Sequence, residues 1–431
     1  MFKEIKYLLR KIIKKPLKIG LVTYYYPDKK SGNNGVAIHT YYLSIGLAKK
    51  GCEVHIFANG DKNSTTSSLI GEGKLVVHRI NSKMKTEIKD VVINKRMDYF
   101  VFDNKIIDEI TKESEREKFD VIHTHGWLTA GAFIAKHLNN TKWVHTFHAL
   151  EKERLRFMSK EEKRYFQIAQ WMETTIHYAD AIIAVSNFLK KKAQKEYNIP
   201  DNKVFYIPNG VDLDVFNMDK PTQKEKRVAY IGRFSFEKGI DFVEKIFEGL
   251  LKNNKDLSVE IVAADAKTPE SFKITKEGFE NMAKNYPTRF VWHKEPLNRE
   301  KIAEILKRSE ILIQPSRYEA FGMTVIEAMA CGTAVITSNN GGLTEVVGNA
   351  GITIPLNVKM FIKKTEMLIK NYKLRERYAR RGFEKAKTLK WGEIANKTLE
   401  IYYMISNKKE LEPEKVSKAF ENLDKIEKVH N

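Results

Sequence analysis

Short hydrophobic runs alternate with amphipathic or polar stretches along the first half of this chain. Apolar runs of this length, bounded by polar residues, are typical of strands that are buried on both faces. The segments between them, of which residues 36–50 are the first, have helical periodicity. The alternation predicts a parallel, doubly wound sheet with strands at residues 17–23, 54–58, 75–80, 120–123, 143–147 and 181–185.

A polar stretch at residues 208–226 interrupts this pattern and begins with Pro208-Asn209-Gly210. Pro, Gly and charged residues in such a run are typical of a linker between domains. We therefore predict an α/β protein of two doubly wound, Rossmann-like parallel-sheet domains that face a central cleft. The second domain has predicted strands at residues 227–231, 258–262, 289–292, 311–314, 334–337 and 352–354.

The predicted boundaries divide the chain into four parts. A basic amphipathic helix covers residues 1–16, the N-terminal domain covers residues 17–215, and the C-terminal domain covers residues 216–390. Residues 391–431 are predicted to form helices that pack at least partly back toward the N-terminal domain. The length of 431 residues supports more than one domain, because a single ordinary core does not extend that far.

The net charge limits the classes of partner. Lys and Arg number 75 against 55 Asp and Glu, which gives a net charge of +20 and favours an anionic partner. Nucleic acid, an anionic membrane surface and phosphorylated small molecules are the candidates, and a solubilising Lys/Glu surface is the alternative. We expect no nucleic-acid partner, because the sequence has neither a recognition helix nor an aromatic RNA-binding motif.

The cellular location is predicted to be cytoplasmic. Two cysteines, Cys52 and Cys331, make no disulfide framework and no metal-ligand cluster, which is typical of a reducing compartment. No apolar run approaches the roughly 18 residues that span a bilayer, and Lys and Arg interrupt the N-terminal apolar residues where a cleavable signal would need them.

Residues 1–15 place apolar side chains at helical spacing among lysines and arginines. This composition is typical of an interfacial helix that binds anionic lipid, so we expect peripheral association with the inner face of the membrane. A second basic segment with aromatic residues covers residues 152–178. The alternative is a solvated helix that packs its apolar stripe on the N-terminal domain.

Two loops have the composition of phosphate-binding loops. Residues 31–36, including Gly35, follow the first predicted strand, and residues 232–239 follow the first strand of the second series. Glycines let backbone N–H groups approach a phosphate closely, while Arg233 and Lys238 could hold a pyrophosphate without a metal ion. The alternatives are an ordinary turn and two solvated surface cations.

Residues 311–327 are predicted to form a buried strand, a loop with Glu319 and a helix with Glu327. Such a loop lies in the crevice beyond the carboxyl end of a strand, where α/β sheets bind ligands. Gly322 and the helix start favour an anion, and a carboxylate accepts two hydrogen bonds from a sugar diol. The alternative is one glutamate near a helix start and one at the surface, because this spacing occurs about once or twice by chance.

Four histidines lie at or just beyond two strand ends: His123, His125, His145 and His148. Their spacing, without a nearby cysteine, does not predict a convincing zinc site. We expect His148, in the turn after its strand, to donate a hydrogen bond to a ligand oxygen. His123 and His145 are expected to be hydrogen-bonded core residues.

Taken together, the motifs resemble the retaining glycosyltransferases of the GT-B fold, specifically family 4. The resemblance extends from about residue 17 to about residue 403, and the order and spacing of its motifs are more specific than any one of them. The matching segments are residues 32–36, 43–54, 120–125, 146–148, 185–186, 207–212, 232–239, 319–327 and 341–345.

The resemblance implies a metal-independent, retaining hexosyltransferase without a cofactor, which moves a sugar from a nucleotide-sugar donor to an acceptor. That acceptor is unidentified and is a lipid-linked molecule or a glycan. A nucleotide-sugar epimerase of the same fold and a glycogen-type synthase are the alternatives. The donor base and sugar stay open, because residues 263–266 and 292–296 depart from the glycine-containing stretches common in the family.

The resemblance also implies a role for each site residue. Arg233 and Lys238 stabilise the leaving diphosphate, Glu327 holds the nucleotide ribose, and Glu319 contacts the hydroxyl groups of the donor sugar. The remaining implied residues are backbone groups of Phe321 and Gly322 near that sugar, Gly35 near the distal phosphate, His148 beside the sugar, and His125 and Asn209 farther out in the pocket.

Overall fold

The computed structural model describes residues 16–27, 34–83, 91–126, 130–157, 163, 173–218, 223–264 and 273–406. The proposed membrane helix at residues 1–15 lies outside the described residues, as does most of residues 158–172 in the second basic segment. Within the described residues, no helix is both long and apolar enough to cross a bilayer.

The first half of the chain forms an eight-stranded sheet in the order β3-β4-β2-β1-β5-β6-β7-β8. Its strands are β1 (Lys18–Thr23), β2 (Glu53–Asn59), β3 (Ser64–Ile70), β4 (Gly73–Ile80), β5 (Val121–His125), β6 (Lys142–Phe147), β7 (Ala181–Ala184) and β8 (Val204–Tyr206). The helices are α1 (Gly35–Lys49), α2 (Val91–Arg116), α3 (Ala130–Asn139), α4 (Glu151–Arg154) and α5 (Asn187–Tyr197).

The second half forms a six-stranded, fully parallel sheet in the order β11-β10-β9-β12-β13-β14. Its strands are β9 (Glu225–Ile231), β10 (Ser258–Val262), β11 (Phe290–His293), β12 (Ser309–Gln314), β13 (Ala334–Ser338) and β14 (Ile352–Ile354). The helices are α6 (Ile240–Asn253), α7 (Lys273–Asn285), α8 (Arg299–Arg308), α9 (Met323–Ala330), α10 (Leu343–Val347), α11 (Val358–Lys370), α12 (Tyr372–Lys387) and α13 (Trp391–Ser406).

Each sheet reverses its strand order at one point, and these points determine where a ligand can bind. In the first sheet β1 pairs with β2 on one side and β5 on the other. In the second sheet β9 pairs with β10 and β12. Because the connections diverge there, a crevice opens beyond the carboxyl ends of these strands.

The sequence pattern missed strand β3, which pairs antiparallel with β4 at the edge of the first sheet. Its residues Ser64 to Leu69 are exposed and mostly hydroxylated, so the strand has no apolar alternation from which to predict it. The predicted linker is also too long at its end, since β9 begins at Glu225. Lys224 there is anchored by the Ser309 carbonyl oxygen, 2.9 Å from its Nζ.

The last described helix, α13, packs on the N-terminal sheet. Trp391, Ile394 and Tyr402 join the same hydrophobic cluster as Leu17 and Ile19. Its Tyr402 hydroxyl lies 2.6 Å from His123 Nδ1, beneath the sheet. The C-terminal end of the described chain therefore packs against the first domain.

Candidate functional site

Two loops meet at the reversal point of the second sheet, one after β9 and one after β12. The N–H groups of Arg317 and Tyr318 donate to the Glu237 carbonyl oxygen at 2.8 and 3.2 Å. Gly239 has a φ of 71°, and a Cβ there would lie 1.9 Å from the Pro315 carbonyl oxygen. Only glycine fits this approach, so the loops have one fixed relative position.

Lys238 and Glu319, one from each loop, form an ion pair with 2.6 Å between Nζ and Oε2. Both side chains are largely buried, at 16% and 15% exposure. Burial lowers the pKa of Lys238 from its ordinary value, while the charge of Glu319 opposes that shift. A second glycine contact fixes Glu319, because a Cβ on Gly341 would lie 2.1 Å from the Glu319 carbonyl oxygen.

Arg233 presents a 61% exposed side chain at the same loop and is paired with the buried carboxylate of Glu237. Glu237 also accepts a hydrogen bond from Arg154 Nε at 3.1 Å, and Arg154 pairs with Glu151 at 2.7 Å. Arg154 belongs to the N-terminal domain, so Glu237 holds one guanidinium from each domain. This carboxylate therefore positions Arg233 and joins the two domains.

The amino ends of two helices meet across the domains. A Cβ on Gly35, the first residue of α1, would lie 3.9 Å from Cγ of Met323, the first residue of α9. Asn34 caps α1 by accepting a hydrogen bond from Ala37 N at 2.8 Å, and Gly322 precedes α9 with a φ of 110°. Helix amino ends present N–H groups and a partial positive charge, so their meeting favours an anion.

Glu327 lies on α9 and is buried, at 6% exposure. Its Oε1 accepts a hydrogen bond from Arg299 at 3.1 Å, and the Arg299 guanidinium stacks over Phe216 and Tyr42. Burial raises the pKa of Glu327 to about 7 although Arg299 opposes the shift. Glu327 therefore pairs with Arg299 and takes no part in the Lys238–Glu319 ion pair.

The N-terminal domain contributes a cluster of three imidazoles from His39, His125 and His148. His125 Nδ1 lies 3.1 Å from His148 Nε2, and the His39 and His148 rings are 4.6 Å apart. Asn209 Oδ1 lies 2.8 Å from His39 Nδ1, and an amide oxygen only accepts, so this nitrogen of His39 carries the proton. Nε2 of His39 then holds a lone pair directed into a buried space.

The imidazoles of this cluster are neutral at neutral pH. Burial lowers the pKa of His39 to about 4 and lowers those of His125 and His148 from their ordinary value. Nε2 of both His39 and His125 is buried without a hydrogen-bond partner among the described residues. These two nitrogens can therefore bind a ligand hydroxyl.

A metal ion is a second ligand that these imidazoles could accept. One nitrogen from each of His39, His125 and His148 lies within 4.8 Å of the others. The other two histidines near the strand ends do not add a nitrogen to this group, although the His123 ring lies 4.2 Å from that of His125. His123 is hydrogen-bonded to Tyr402 and Thr146, and His145 to Thr124, as expected of core residues.

The imidazole cluster and the ion-pair loops face each other. Leu150, two residues beyond His148, donates its N–H to the Tyr318 hydroxyl at 3.1 Å, and Tyr318 is next to Glu319. Contacts across the cleft thus join Gly35 to Met323, and the turn after His148 to Tyr318, the neighbour of Glu319.

Four residues of the site were missed from the sequence: His39, Arg154, Glu237 and Arg299. His39 had a usable signal, because it lies four residues after Gly35 and therefore on the same helix face. Arg154 and Arg299 had none, since the carboxylates that place them at the site, Glu237 and Glu327, are 83 and 28 residues away along the chain.

Two family models match the chain across most of its length. The model described as Glycosyltransferase Family 4 matches residues 33–215, and the one described as Glycosyl transferases group 1 matches residues 216–385. Among relatives, alpha-maltose-1-phosphate synthase of Mycolicibacterium smegmatis is 28% identical over 323 residues. The alignment covers 69% of this chain and 82% of that protein.

Solved structures agree with this assignment at the level of the fold. Sucrose-phosphate synthase from Thermosynechococcus elongatus has a TM-score of 0.71 at 20% identity, covering 90% of this chain and 99% of that one. Anabaena HepE, solved with UDP-glucose, has a TM-score of 0.65 at 15% identity, covering 89% and 99%. The family and fold expected from the motifs are confirmed: the chain belongs to the family 4 glycosyltransferases and is a hexosyltransferase of the GT-B fold.

Proposed function

We propose that the enzyme uses a nucleotide-sugar donor and binds its diphosphate where the amino ends of α1 and α9 meet. The observation that carries the proposal is the meeting of these two helix ends, together with the Lys238–Glu319 ion pair on the loop that leads into α9. Backbone N–H groups, an ammonium and a guanidinium together match the charge that develops on a leaving diphosphate. The relative solved with UDP-glucose supports this choice of donor class.

The donor sugar is proposed to lie between Glu319 and His148. Glu319 would accept hydrogen bonds from sugar hydroxyl groups, with the backbone of Phe321 and Gly322 beside it. His148 is a neutral imidazole, which suits it to donate a hydrogen bond to a sugar oxygen. His125 and Asn209 then act as positioning residues, because the first contacts His148 and the second contacts His39.

The ribose is proposed to bind Glu327. Its Oε1 accepts the hydrogen bond from Arg299, which leaves Oε2 as the oxygen for the ribose diol. The positive charge of Arg299 favours the ionised carboxylate, the form that accepts two hydrogen bonds.

The proposed reaction retains the configuration of the sugar. The bond between the anomeric carbon and the diphosphate oxygen breaks, and the acceptor oxygen bonds to the same face of that carbon. The acceptor proton passes to the leaving diphosphate. Because Lys238, Arg233 and two helix ends supply the positive charge, we propose that no metal ion is required.

Thermal shift and turnover assays with UDP-, GDP- and ADP-hexoses test the donor class. One of these donors is expected to raise the Tm and to release its nucleoside diphosphate when an acceptor is present. The same turnover measured in excess EDTA tests metal independence, and the anomeric configuration of the product, read by NMR coupling constants, tests retention. If none of the donors shifts the Tm or is turned over, the proposed function is wrong.

The acceptor is proposed to be a lipid-linked molecule or a glycan, reached at an anionic membrane surface through residues 1–15. The basic and apolar composition of that segment supports this proposal. Cosedimentation with anionic vesicles, with and without residues 1–15, tests it. Equal and negligible binding of both chains at low salt would contradict the membrane role and leave the donor assignment untouched.

A further inference from the structure

A second group of potential metal ligands lies apart from the cleft residues, between strands β2 and β4 and helix α2. His55 on β2, His78 on β4 and Glu113 on α2 each direct one ligand atom to a common point, within 4.8 Å of one another. His55 is paired with Val76 across the parallel strands, two residues before His78, so both imidazoles leave the same face of the sheet. Helix α2 covers that face and adds the carboxylate.

We propose that His55, His78 and Glu113 form a divalent-metal site for Zn²⁺ that fastens helix α2 to strands β2 and β4. His55 Nδ1 lies 2.9 Å from His78 Nε2 and 4.0 Å from Glu113 Oε2. Two ligands held at about 2.0–2.1 Å from a tetrahedral zinc are about 3.3–3.4 Å apart. The distances of 2.9 and 4.0 Å lie below and above this spacing, and all three atoms lie within 4.8 Å of one another, so small side-chain rotations would bring them to it.

The other nitrogen of each imidazole already has an orienting partner. His55 Nε2 lies 3.0 Å from Glu53 Oε1, and His78 Nδ1 lies 3.4 Å from Thr65 Oγ1. Metal-bound histidines characteristically donate their second N–H to a carboxylate or another oxygen, which directs the remaining lone pair at the metal.

Aromatic rings flank both imidazoles. Phe57 stacks on the His78 ring at 4.8 Å, and Phe119 packs edge-on to His55 at 5.2 Å. Imidazole nitrogens with one carboxylate oxygen make a ligand set that suits Zn²⁺, with a fourth position for water.

Three cations near the cluster are engaged by other groups. Lys18 Nζ donates to the carbonyl oxygens of Glu113 and Glu117 at 3.2 and 2.6 Å. Arg116 binds Oε1 of Glu113 at 3.2 Å and so leaves Oε2 for the metal. Lys74 lies 3.6 Å from the Glu53 carboxylate, outside the ring of ligand atoms.

Without a metal, one hydrogen bond joins His55 to His78, and in the zinc-bound form both nitrogens would bind the metal instead. Zinc titration therefore distinguishes a metal site from a simple hydrogen bond. The full chain is stripped with a chelator and titrated with Zn²⁺ by calorimetry, and Co²⁺ is substituted to look for the visible bands of a tetrahedral site. We expect His78→Gln and Glu113→Gln to lose one equivalent of Zn²⁺ relative to the wild type. Glu53→Gln should bind that equivalent about tenfold or more weakly.

Glu115→Gln is the matched control, because Glu115 is an exposed carboxylate on the same helix. It should keep the wild-type stoichiometry, and Zn²⁺ should raise its Tm as it does for the wild type but not for Glu113→Gln. Any equivalent of zinc that all of the variants still bind would occupy another site, such as the imidazoles of the cleft. The proposal is overturned if His78→Gln and Glu113→Gln, both folded by circular dichroism, bind as many equivalents as the wild type. These measurements use no donor and are independent of the proposed transferase reaction.

Discussion

The Lys238 ammonium lies 2.6 Å from a Glu319 carboxylate oxygen, so the cation proposed for the diphosphate is neutralised by the carboxylate proposed for the sugar. The sequence motifs predicted separate roles for these two residues, whereas in the structure they form an ion pair. A diphosphate that binds Lys238 must weaken this ion pair. Its loss turns the carboxylate toward other donors, such as the hydroxyl groups of the sugar. Donor binding and sugar positioning are therefore linked through one contact.

Lys238→Ala is expected to lower kcat by about 10²–10³-fold, because a preorganised cation aimed at the leaving diphosphate is removed. Initial rates of nucleoside diphosphate release measure the effect. Lys245→Ala, which removes the same charge from an exposed position on α6, is the control and should keep wild-type rates. Undiminished turnover by Lys238→Ala would refute the role of this lysine.

Glu319→Gln is expected to have opposite effects on product binding and on turnover. Without the competing carboxylate, Lys238 pairs more readily with phosphate, so the Kd for the nucleoside diphosphate should fall. Turnover should fall as well, since the sugar loses an anionic acceptor for its hydroxyl groups. Calorimetry with the nucleoside diphosphate and steady-state kinetics measure the two quantities. Weaker nucleoside diphosphate binding in this variant would show that Glu319 does not compete for Lys238.

Glu237→Ala is expected to lower both stability and activity. Its buried carboxylate lies between Arg154 and Arg233. Arg154 keeps Glu151 as a partner and Arg233 is largely exposed, so the free energy of unfolding should fall by about 1–3 kcal/mol. Urea unfolding measures the loss, and kcat/KM should fall because Arg233 is no longer held. Glu248→Gln, whose carboxylate pairs with Lys252 at the surface, is the control and should change neither quantity appreciably. Wild-type stability in Glu237→Ala would contradict the proposed tie between domains.

Much of the fold could be predicted because both sheets are covered on both faces. All six residues of β1 are buried, for example, and Ile19, Leu21 and Val22 give it the apolar character by which it was predicted. The order of strands and helices then indicates where the sheets reverse and which loops bind ligands. Strand β3 could not be predicted in this way, because backbone pairing with β4 stabilises it rather than burial of its side chains.

The sequence predicted the loops of the candidate site but not the ion-pair partners of its charged side chains. Position after a strand made Arg233, Lys238 and Glu319 candidates, since phosphate-binding loops occur there, and the family resemblance then gave them their predicted roles. The pairing of Glu327 with Arg299 depends on how α8 packs against α9, which no spacing in the chain reports. Spacing from Gly35 would have found His39, because residues four apart share a helix face.

Glu327 should give the enzyme a pH-dependent stability. The pKa of this carboxyl is about 7 in the folded protein against an ordinary value of 4.5, so the folded state binds more protons than the unfolded state between these values. The free energy of unfolding should therefore fall as pH rises through this window, by about 3 kcal/mol from this group. Urea unfolding at several pH values measures the slope.

Glu327→Gln should reduce that slope, because the amide does not titrate. Glu300→Gln changes an exposed carboxylate beside Arg299 and should retain the wild-type slope. If Glu327 holds the ribose in its ionised form, the donor KM of the wild type should also fall as pH rises through about 7. A slope that is the same in the wild type and in Glu327→Gln would contradict the raised pKa.

His148→Ala should lower kcat by about 10²-fold or more while the nucleoside diphosphate still binds with nearly wild-type affinity. The reason is spatial: His148 belongs to the imidazole cluster of the N-terminal domain, whereas the proposed diphosphate site lies at Lys238 and the helix ends. A loss confined to kcat would place His148 at the sugar. His137→Ala, which removes an exposed imidazole from α3, should change neither quantity. Equal losses in nucleoside diphosphate affinity and in kcat would instead place His148 at the phosphate, and unchanged kcat would remove it from the reaction.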